Sequence, residues 1–393
     1  ITVDCLRADY VGCIGGKKLT PNIDRLAREA TVFTRAYANG PGTNQSFPAI
    51  LSSTYFLMHG SVAFCQAFTT LAEVLSRNGY RTVAFHSNPF LSAKLGWNKG
   101  FHEFYDFMDV IKSPSAKIAQ TSKLVRKLLS FLSNIFGSGR MISCLKWVHY
   151  KGSKSELPYI EGEQLNSYVL NWIDKNAGKY DKLFIWVHYM DPHGPYAPPE
   201  KYLKGFESRE EAFVFYTKAE LKFHKGISLE EEELETLKTL YSGEVRYVDE
   251  CLGELLCQFE DRGMLEDFLI VITGDHGEAF LEHGELFHSY KILYNEVIHV
   301  PLIIFGDHIP YEKKRYTSPV ELLDLPPTIC EFTNVKKPES FCGSTISDEV
   351  PSFPIFSESA QPDLIELSYN LSKKVISCIY GNYKLCLLYT SDA

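Results

Sequence analysis

The chain has 393 residues, 45% of them hydrophobic, which suits one large enzyme domain or a main domain with a smaller C-terminal part. Acidic residues outnumber basic ones, 49 to 40, and the formal charge of −9 argues against general nucleic-acid binding. Ten cysteines, at positions 5, 13, 65, 144, 251, 257, 330, 342, 378 and 386, show no paired zinc spacing and read as dispersed reduced thiols. No signal peptide or membrane span is read. Ile1 already lies inside the first predicted strand, so the chain reads as clipped at both ends, and neither its location nor its oligomeric state is legible.

Taken in order, the chain opens on the apolar run Ile1-Thr2-Val3, which ends at Asp4. A helix is predicted over Asp24 to Ala36, then a sharp turn at Gly40-Pro41-Gly42 from which a helix starts at Thr43 with Pro48 in or near its first turn. A helix over Leu71 to Asn78 precedes the strand Thr82 to Phe85, which leads into His86-Ser87-Asn88. From Ile111 to Ser155 there are nine Lys or Arg and no Asp or Glu, interleaved with apolar residues in the manner of a basic amphipathic helix. Such an insertion either packs on the enzyme with its basic face in water or contacts a membrane surface beside an anionic substrate. Helices are predicted over Glu161 to Lys175 and Leu229 to Arg262, on either side of the run Leu183 to His188, which leads to Asp191-Pro192-His193, and of a charged insertion from Tyr196 to about Ser228. The run Phe268 to Thr273 leads to Gly274-Asp275-His276-Gly277, and the pattern loosens after Pro326-Pro327. Strands at Lys374 to Ile379 and Tyr383 to Tyr389 suggest a small terminal subdomain, giving a division into 1–345 and 346–393.

Three apolar runs that end in an acid or a histidine read as buried parallel strands. In open α/β sheets the ligand site lies beyond the carboxyl ends of the strands, so these distant residues can share one pocket. Carboxylates and neutral imidazoles there point to a divalent cation, although Asp and His also cap strand ends in ordinary turns. Thr43 would stand at the positive end of a helix dipole, where an alkoxide is favoured and a nearby metal can activate the hydroxyl. The alternative at Thr43 is a plain N-cap.

Asp4-Cys5-Leu6-Arg7-Ala8-Asp9, Thr20-Pro21-Asn22-Ile23-Asp24-Arg25-Leu26-Ala27 and the run from Thr43 to His59-Gly60 resemble the opening of the sulfatase family, in the alkaline phosphatase superfamily. Tyr189 to Tyr196, Thr273 to Glu278 and Leu293 to Ile304 resemble its later blocks in the same order. The resemblance implies an α/β fold with a mixed, mostly parallel central sheet flanked by helices. It also implies a divalent metal held by Asp4, Asp275, His276 and the nucleophile Thr43, with His193 and His288 contacting the substrate anion. Zn2+ or Mn2+ would be expected ahead of Ca2+ or Mg2+. His86, Asn88 and Lys291 are further substrate-binding candidates, His283 is a weaker one, and His288 is alternatively a ligand of a second metal.

The departures bear on the chemistry. True sulfatases carry Cys or Ser at the nucleophile, with Pro two residues on and Arg four residues on, for conversion to formylglycine; here Thr43, Gln45 and Phe47 stand at those positions. Threonine is not a substrate for that modification. Cys5 replaces the second acid of the family's calcium site. A threonine nucleophile is instead similar to that of the phosphoglycerol and phosphoethanolamine transferases and the nucleotide phosphodiesterases. The expected activity is therefore metal-dependent cleavage or transfer of a phosphoester or phosphodiester through a Thr43 intermediate, with His193 or His288 protonating the leaving alkoxide. Sulfuric ester hydrolysis is the alternative, followed by a superfamily phosphomutase or a non-catalytic binding protein. The partner in the leading readings is an anionic phosphate- or sulfate-ester substrate.

Overall fold

A computed structural model describes residues 1–110, 157–176, 178–306, 309, 311, 315–347, 354–363 and 368–389. The basic stretch 111–155 lies outside the described residues. The strands in chain order are β1 (Thr2–Val3), β2 (Thr31–Tyr37), β3 (Arg81–His86), β4 (Glu103–Tyr105), β5 (Leu183–Tyr189), β6 (Ile270–Gly274), β7 (Ala279–Phe280), β8 (Leu286–Phe287), β9 (His299–Phe305), β10 (Arg315–Tyr316), β11 (Val320–Glu321), β12 (Ile355–Asp363), β13 (Ser368–Tyr380) and β14 (Tyr383–Tyr389).

The main sheet has nine strands in the order β10-β2-β9-β6-β1-β5-β3-β4, with β11 also beside β2. Its pairs are parallel except those that β9 makes with β2 and β6. The fold is thus α/β with a mixed, mostly parallel central sheet, as the sequence implied. Apolar residues run without a break from Val300 to Phe305 in β9 because both faces of the sheet are covered. On one face Val83, Phe85, Val187, Ile272 and Ile303 pack with the helices Gly162–Asn176 and Glu231–Asp261. On the other face Ala84, Trp186, Leu302 and Ile304 pack with the helix Thr43–Ser52 and the start of Leu325–Phe332. The alternation of neighbours between faces follows the two-residue period of a strand.

Register decides what the sheet presents at its carboxyl edge. Val3 pairs with Tyr189 on one side and Gly274 on the other, and His86 pairs with His188. Asp4 N donates to the Tyr189 carbonyl at 2.9 Å, and Asp275 N donates to the Val3 carbonyl at 3.2 Å. Asp4 and Asp275 therefore leave adjacent strands at one level.

Several local expectations change. The helix expected over Asp24 to Ala36 is confined to Pro21–Leu26, and Thr31–Tyr37 is β2. The β-branched and aromatic Thr31-Val32-Phe33 prefers the pleated, packed surface beside β9, which outweighs the helical tendency of Arg28-Glu29-Ala30. Pro48 is the sixth residue of its helix, just past the first turn, and withholds the N–H that the Asn44 carbonyl would otherwise accept. The charged insertion contains the helix Arg209–His224, whose start is capped by Ser208. At the C-terminus β12-β13-β14 form a small antiparallel sheet, of which β12 was not anticipated. Ile355, Ala360, Val375 and Ile379 bury into the same cluster as β9. Nine cysteines of the described residues are free thiols. No helix of the described residues is long and apolar enough to cross a membrane.

The strand end at Glu321 generates a pH prediction. Burial, reinforced by Asp324, raises the Glu321 carboxyl to about 8, although Asn39 Nδ2 donates to it at 2.7 Å. An acid whose folded pKa lies above its unfolded one stabilises below the unfolded value and loses that contribution as pH rises. Wild-type stability should therefore decline as pH rises from about 4.5 to about 8, and Glu321→Gln should flatten that decline. Denaturant midpoints measured across this range check it; parallel profiles for the two proteins would contradict it.

Candidate active site

The turn that delivers Thr43 is fixed by glycine. A Cβ on Gly40 would fall 2.2 Å from Gln45 Cβ, so a side chain there would push the turn off the first turn of the helix. Gly42 is extended at φ −165°, and Thr43 begins the helix Thr43–Ser52. Thr43 Oγ1 lies 3.4 Å from Asp4 Oδ2. Asn88, at the end of β3, donates through Nδ2 to Asp4 Oδ2 at 2.9 Å and to Thr43 Oγ1 at 3.3 Å. Thr43, strand β1 and strand β3 thus meet on one carboxylate.

The other Asp4 oxygen, Oδ1, is 3.3 Å from His276 Nε2, which is also 3.7 Å from Asp275 Oδ2. His276 Nδ1 is 2.8 Å from the Gly277 carbonyl, which places the ring proton on Nδ1 and a lone pair on Nε2. Asp275 Oδ1 accepts from Cys5 N at 3.2 Å, while its buried Oδ2 has no hydrogen-bond partner. Two carboxylates and an imidazole lone pair converge in the dry interior, a donor set that fits a divalent cation. With only protons to balance the cluster, burial raises Asp275 to about 6, helped by Asp4. For His276 burial works downward and is overcome by Asp275 and Asp4, which bring the imidazole up to about 10. Burial also opposes the Asp4 charge, but His193 together with His188 and His276 outweighs it and holds Asp4 well below the usual carboxylate range.

His193 and His288 stand next to this cluster, their rings 5.2 Å apart and the His288 ring 4.6 Å from that of His276. His288 Nδ1 is 3.0 Å from Glu278 Oε1, and Glu278 also accepts from the Tyr196 hydroxyl at 2.8 Å. His86 is fully buried, stacked on Trp186, and accepts through Nδ1 from Asn88 N at 3.2 Å, so it orients Asn88. Lys291 lies outside this hydrogen-bond set, with its ammonium 3.8 Å from Glu285 and largely exposed. His283 is likewise apart, bound to Glu296 at 2.6 Å and stacked on Tyr294. Asp191 accepts from Gly162 N at 3.1 Å and serves the start of the helix Gly162–Asn176.

Sequence reasoning marked His188 as the end of an apolar run but gave it no role. Its Nε2 is 3.3 Å from Asp4 Oδ2 without the alignment of a hydrogen bond, and its Nδ1 is 2.9 Å from Thr2 Oγ1. Trp186 Nε1 donates to that same hydroxyl at 2.9 Å, so the Thr2 proton is directed to His188 Nδ1 and the imidazole N–H faces Asp4. A histidine closing an otherwise apolar strand was the available signal. Cys5 was noted only as a departure, yet it stands in the left-handed region at φ 59° with its thiol 3.3 Å from Asp4 Oδ1. The Tyr241 hydroxyl holds this turn, donating to the Cys5 carbonyl at 2.6 Å and accepting from Arg7 N at 3.1 Å.

Comparison with known proteins gives this arrangement a family. Residues 1–335 match the sulfatase family. The chain belongs to that family of ester-hydrolysing, divalent-metal enzymes. An arylsulfatase of Clostridium perfringens is 24% identical over 382 residues, spanning 88% of this chain and 77% of the relative. Human arylsulfatase K is 23% identical over 358 residues, spanning 83% of this chain and 60% of its own length. Among solved structures, the phosphonate monoester hydrolase of Silicibacter pomeroyi superposes with a TM-score of 0.70 at 20% identity, over 99% of this chain and 86% of that one. This sulfatase-family fold carries the small C-terminal antiparallel sheet as well as the main one.

Two outcomes test the geometry. Asp275→Asn or His276→Ala should lower metal affinity by at least about tenfold while the circular dichroism spectrum is retained. Full metal occupancy in both variants at limiting metal would contradict the donor set. Tyr241→Phe removes one buried hydroxyl that serves two backbone groups and should cost about 1–3 kcal/mol in unfolding free energy, read by denaturant titration; a cost near zero would mean that the turn at Cys5 holds without it.

Proposed function

We propose that this sulfatase-family chain cleaves or transfers a phosphoester or phosphodiester through a covalent Thr43 intermediate, in the manner of the phosphoglycerol and phosphoethanolamine transferases. The observation that carries the reading is the nucleophile position itself. A threonine hydroxyl, incapable of becoming formylglycine, opens the helix Thr43–Ser52 at 3.4 Å from Asp4. Four residues on, Phe47 is fully buried against Trp97, Trp186 and His188, so an apolar ring stands where the sulfatase pattern has arginine.

Asp4, Asp275, His276 and Thr43 are the residues that would hold the divalent ion, with a mixed oxygen and imidazole set suited to Zn2+ or Mn2+. Such an ion supplies Lewis-acid neutralisation of the phosphoryl oxygens and of the developing alkoxide. Asp4, kept ionised, accepts the Thr43 proton, and Asn88 steadies the hydroxyl from the other side. First-turn N–H groups of the helix face the charge that grows on the equatorial oxygens. The Thr43 Oγ–P bond forms as the ester P–O bond breaks, and His193 or His288 gives the departing oxygen its proton. Water, or an acceptor alcohol, then displaces Thr43 from phosphorus.

Sulfuric ester hydrolysis is the second reading, favoured by the arylsulfatases among the relatives. A matched set of nitrophenyl phosphate, phosphodiester and sulfate esters separates the two. Phosphorus esters should turn over faster than the sulfate with the best metal, and a sulfate preference would restore plain sulfatase as the function. Thr43→Ala should reduce phosphoester turnover by at least about a thousandfold, with metal retained on the remaining ligands. Activity surviving in Thr43→Ala would assign the attack to water.

A further inference from the structure

The charged insertion that stands out in the sequence takes no part in the proposed reaction, yet its helix Arg209–His224 bears on the loop from Asp191 to Ala197, which carries His193. Within that loop His193 N donates to the Met190 carbonyl at 2.6 Å, and His193 Nδ1 is 2.6 Å from the Gly194 carbonyl. A carbonyl can only accept, so a ring proton sits on Nδ1 and Nε2 is the nitrogen left for the substrate. The aim of the imidazole therefore follows the Gly194 peptide. Gly194 rests on the insertion helix: a Cβ there would overlap the hydroxyl of buried Tyr216. Three residues on, the Ala197 peptide is held from both sides, its N–H donating to Glu244 Oε1 at 2.6 Å and its carbonyl accepting from Arg209 Nε at 2.8 Å. Arg209 Nη2 also donates to Glu161 Oε1 at 2.6 Å, next in sequence to the Gly162 N–H that Asp191 Oδ2 accepts at 3.1 Å. Both ends of the loop thus run to one guanidinium.

We infer that Arg209 and Glu244 are positioning residues that act through His193, so that the insertion helix sets the reach of the imidazole to the substrate. The inference rests on the reading of His193 as a group that meets the substrate anion or its leaving oxygen. Glu244 is buried; burial pushes its carboxyl well up, Asp191 adds to that, and Arg209 opposes both. Arg209 is the positive charge set among Glu161, Glu244 and Asp191. Its fork spans Ala197 and Glu161 at once, a geometry that the point charge of a lysine does not reproduce. Without the guanidinium the acids repel one another, the Ala197 carbonyl loses its donor and the loop shifts. A displacement of about 1 Å at a group beside the reacting atoms costs on the order of a hundredfold in rate.

A double-mutant cycle on the whole chain, loaded with its best divalent metal and assayed on whichever nitrophenyl ester it turns over fastest, tests this. Arg209→Met should lower kcat/KM by at least about tenfold in the wild-type background. In the His193→Ala background the same change should cost less than about twofold, because a group that acts through His193 has nothing left to act on. Glu244→Leu should show the same pattern, and metal content should stay at the wild-type level in each variant. Equal losses in the two backgrounds, no loss in the wild-type background, or metal lost on Arg209→Met overturns the inference. Circular dichroism reports folding, and Arg209→Lys replaces Arg209→Met in the cycle where the latter is misfolded. If His193→Ala alone leaves turnover unchanged, the role given to His193 falls and this inference with it, while Thr43→Ala still decides the nucleophile.

Discussion

Asp4 and Asp275 are forced together in the interior by the register of β1 and β6, and most of the site exists to accommodate that. Two fully buried carboxylates repel each other and lack water, an arrangement that is strongly unfavourable until positive charge or hydrogen-bond donors surround it. Asn88 Nδ2 and Cys5 N supply hydrogen bonds, and the His188 imidazole N–H faces Asp4 at 3.3 Å. Asp275 Oδ2 is left buried without a hydrogen-bond partner. The Thr43 hydroxyl stands beside the Asp4 carboxylate, 3.4 Å from Asp4 Oδ2.

A second layer keeps these groups in orientation. Trp186, Thr2 and His188 form a relay that leaves one imidazole N–H facing Asp4, and Gly277 does the complementary work for His276 by taking its Nδ1 proton. One imidazole is thereby a donor and the other a lone-pair ligand, although both lie 3.3 Å from the same carboxylate. Phe47 closes the cluster on its apolar side, edge-on to His188.

Much of this geometry was readable from residues 1–4, 40–48 and 268–277, because buried parallel strands and a glycine turn have strong local signatures and their ends are where polar side chains collect. His188 was given no role because it belongs to the strand rather than to the loop after it, and only the pairing of β1 with β5 reveals that its ring faces Asp4. Lys291 was named as a substrate-binding candidate, yet its ammonium lies beside Glu285 on the surface. At Asp24 to Ala36, local helical propensity pointed one way and pairing with β9 the other, and the non-local contact prevailed. β12 was missed because Ser357, Glu358 and Ser359 dilute its apolar pattern; pairing with β13 defines it.

β1 is only two residues long, yet it is the strand on which the site is hung. It pairs with residues 188–189 and 273–274. Closing loops of that length precedes any energetic return, so these pairings are slow to form. A chain emerging in order from the ribosome must hold Asp4 in a partly folded state until the segment through His276 has been made. Thr43, its turn and its helix can be made earlier, so the meeting of Thr43 with Asp4 and Asp275 waits on one of the last long-range pairings to form.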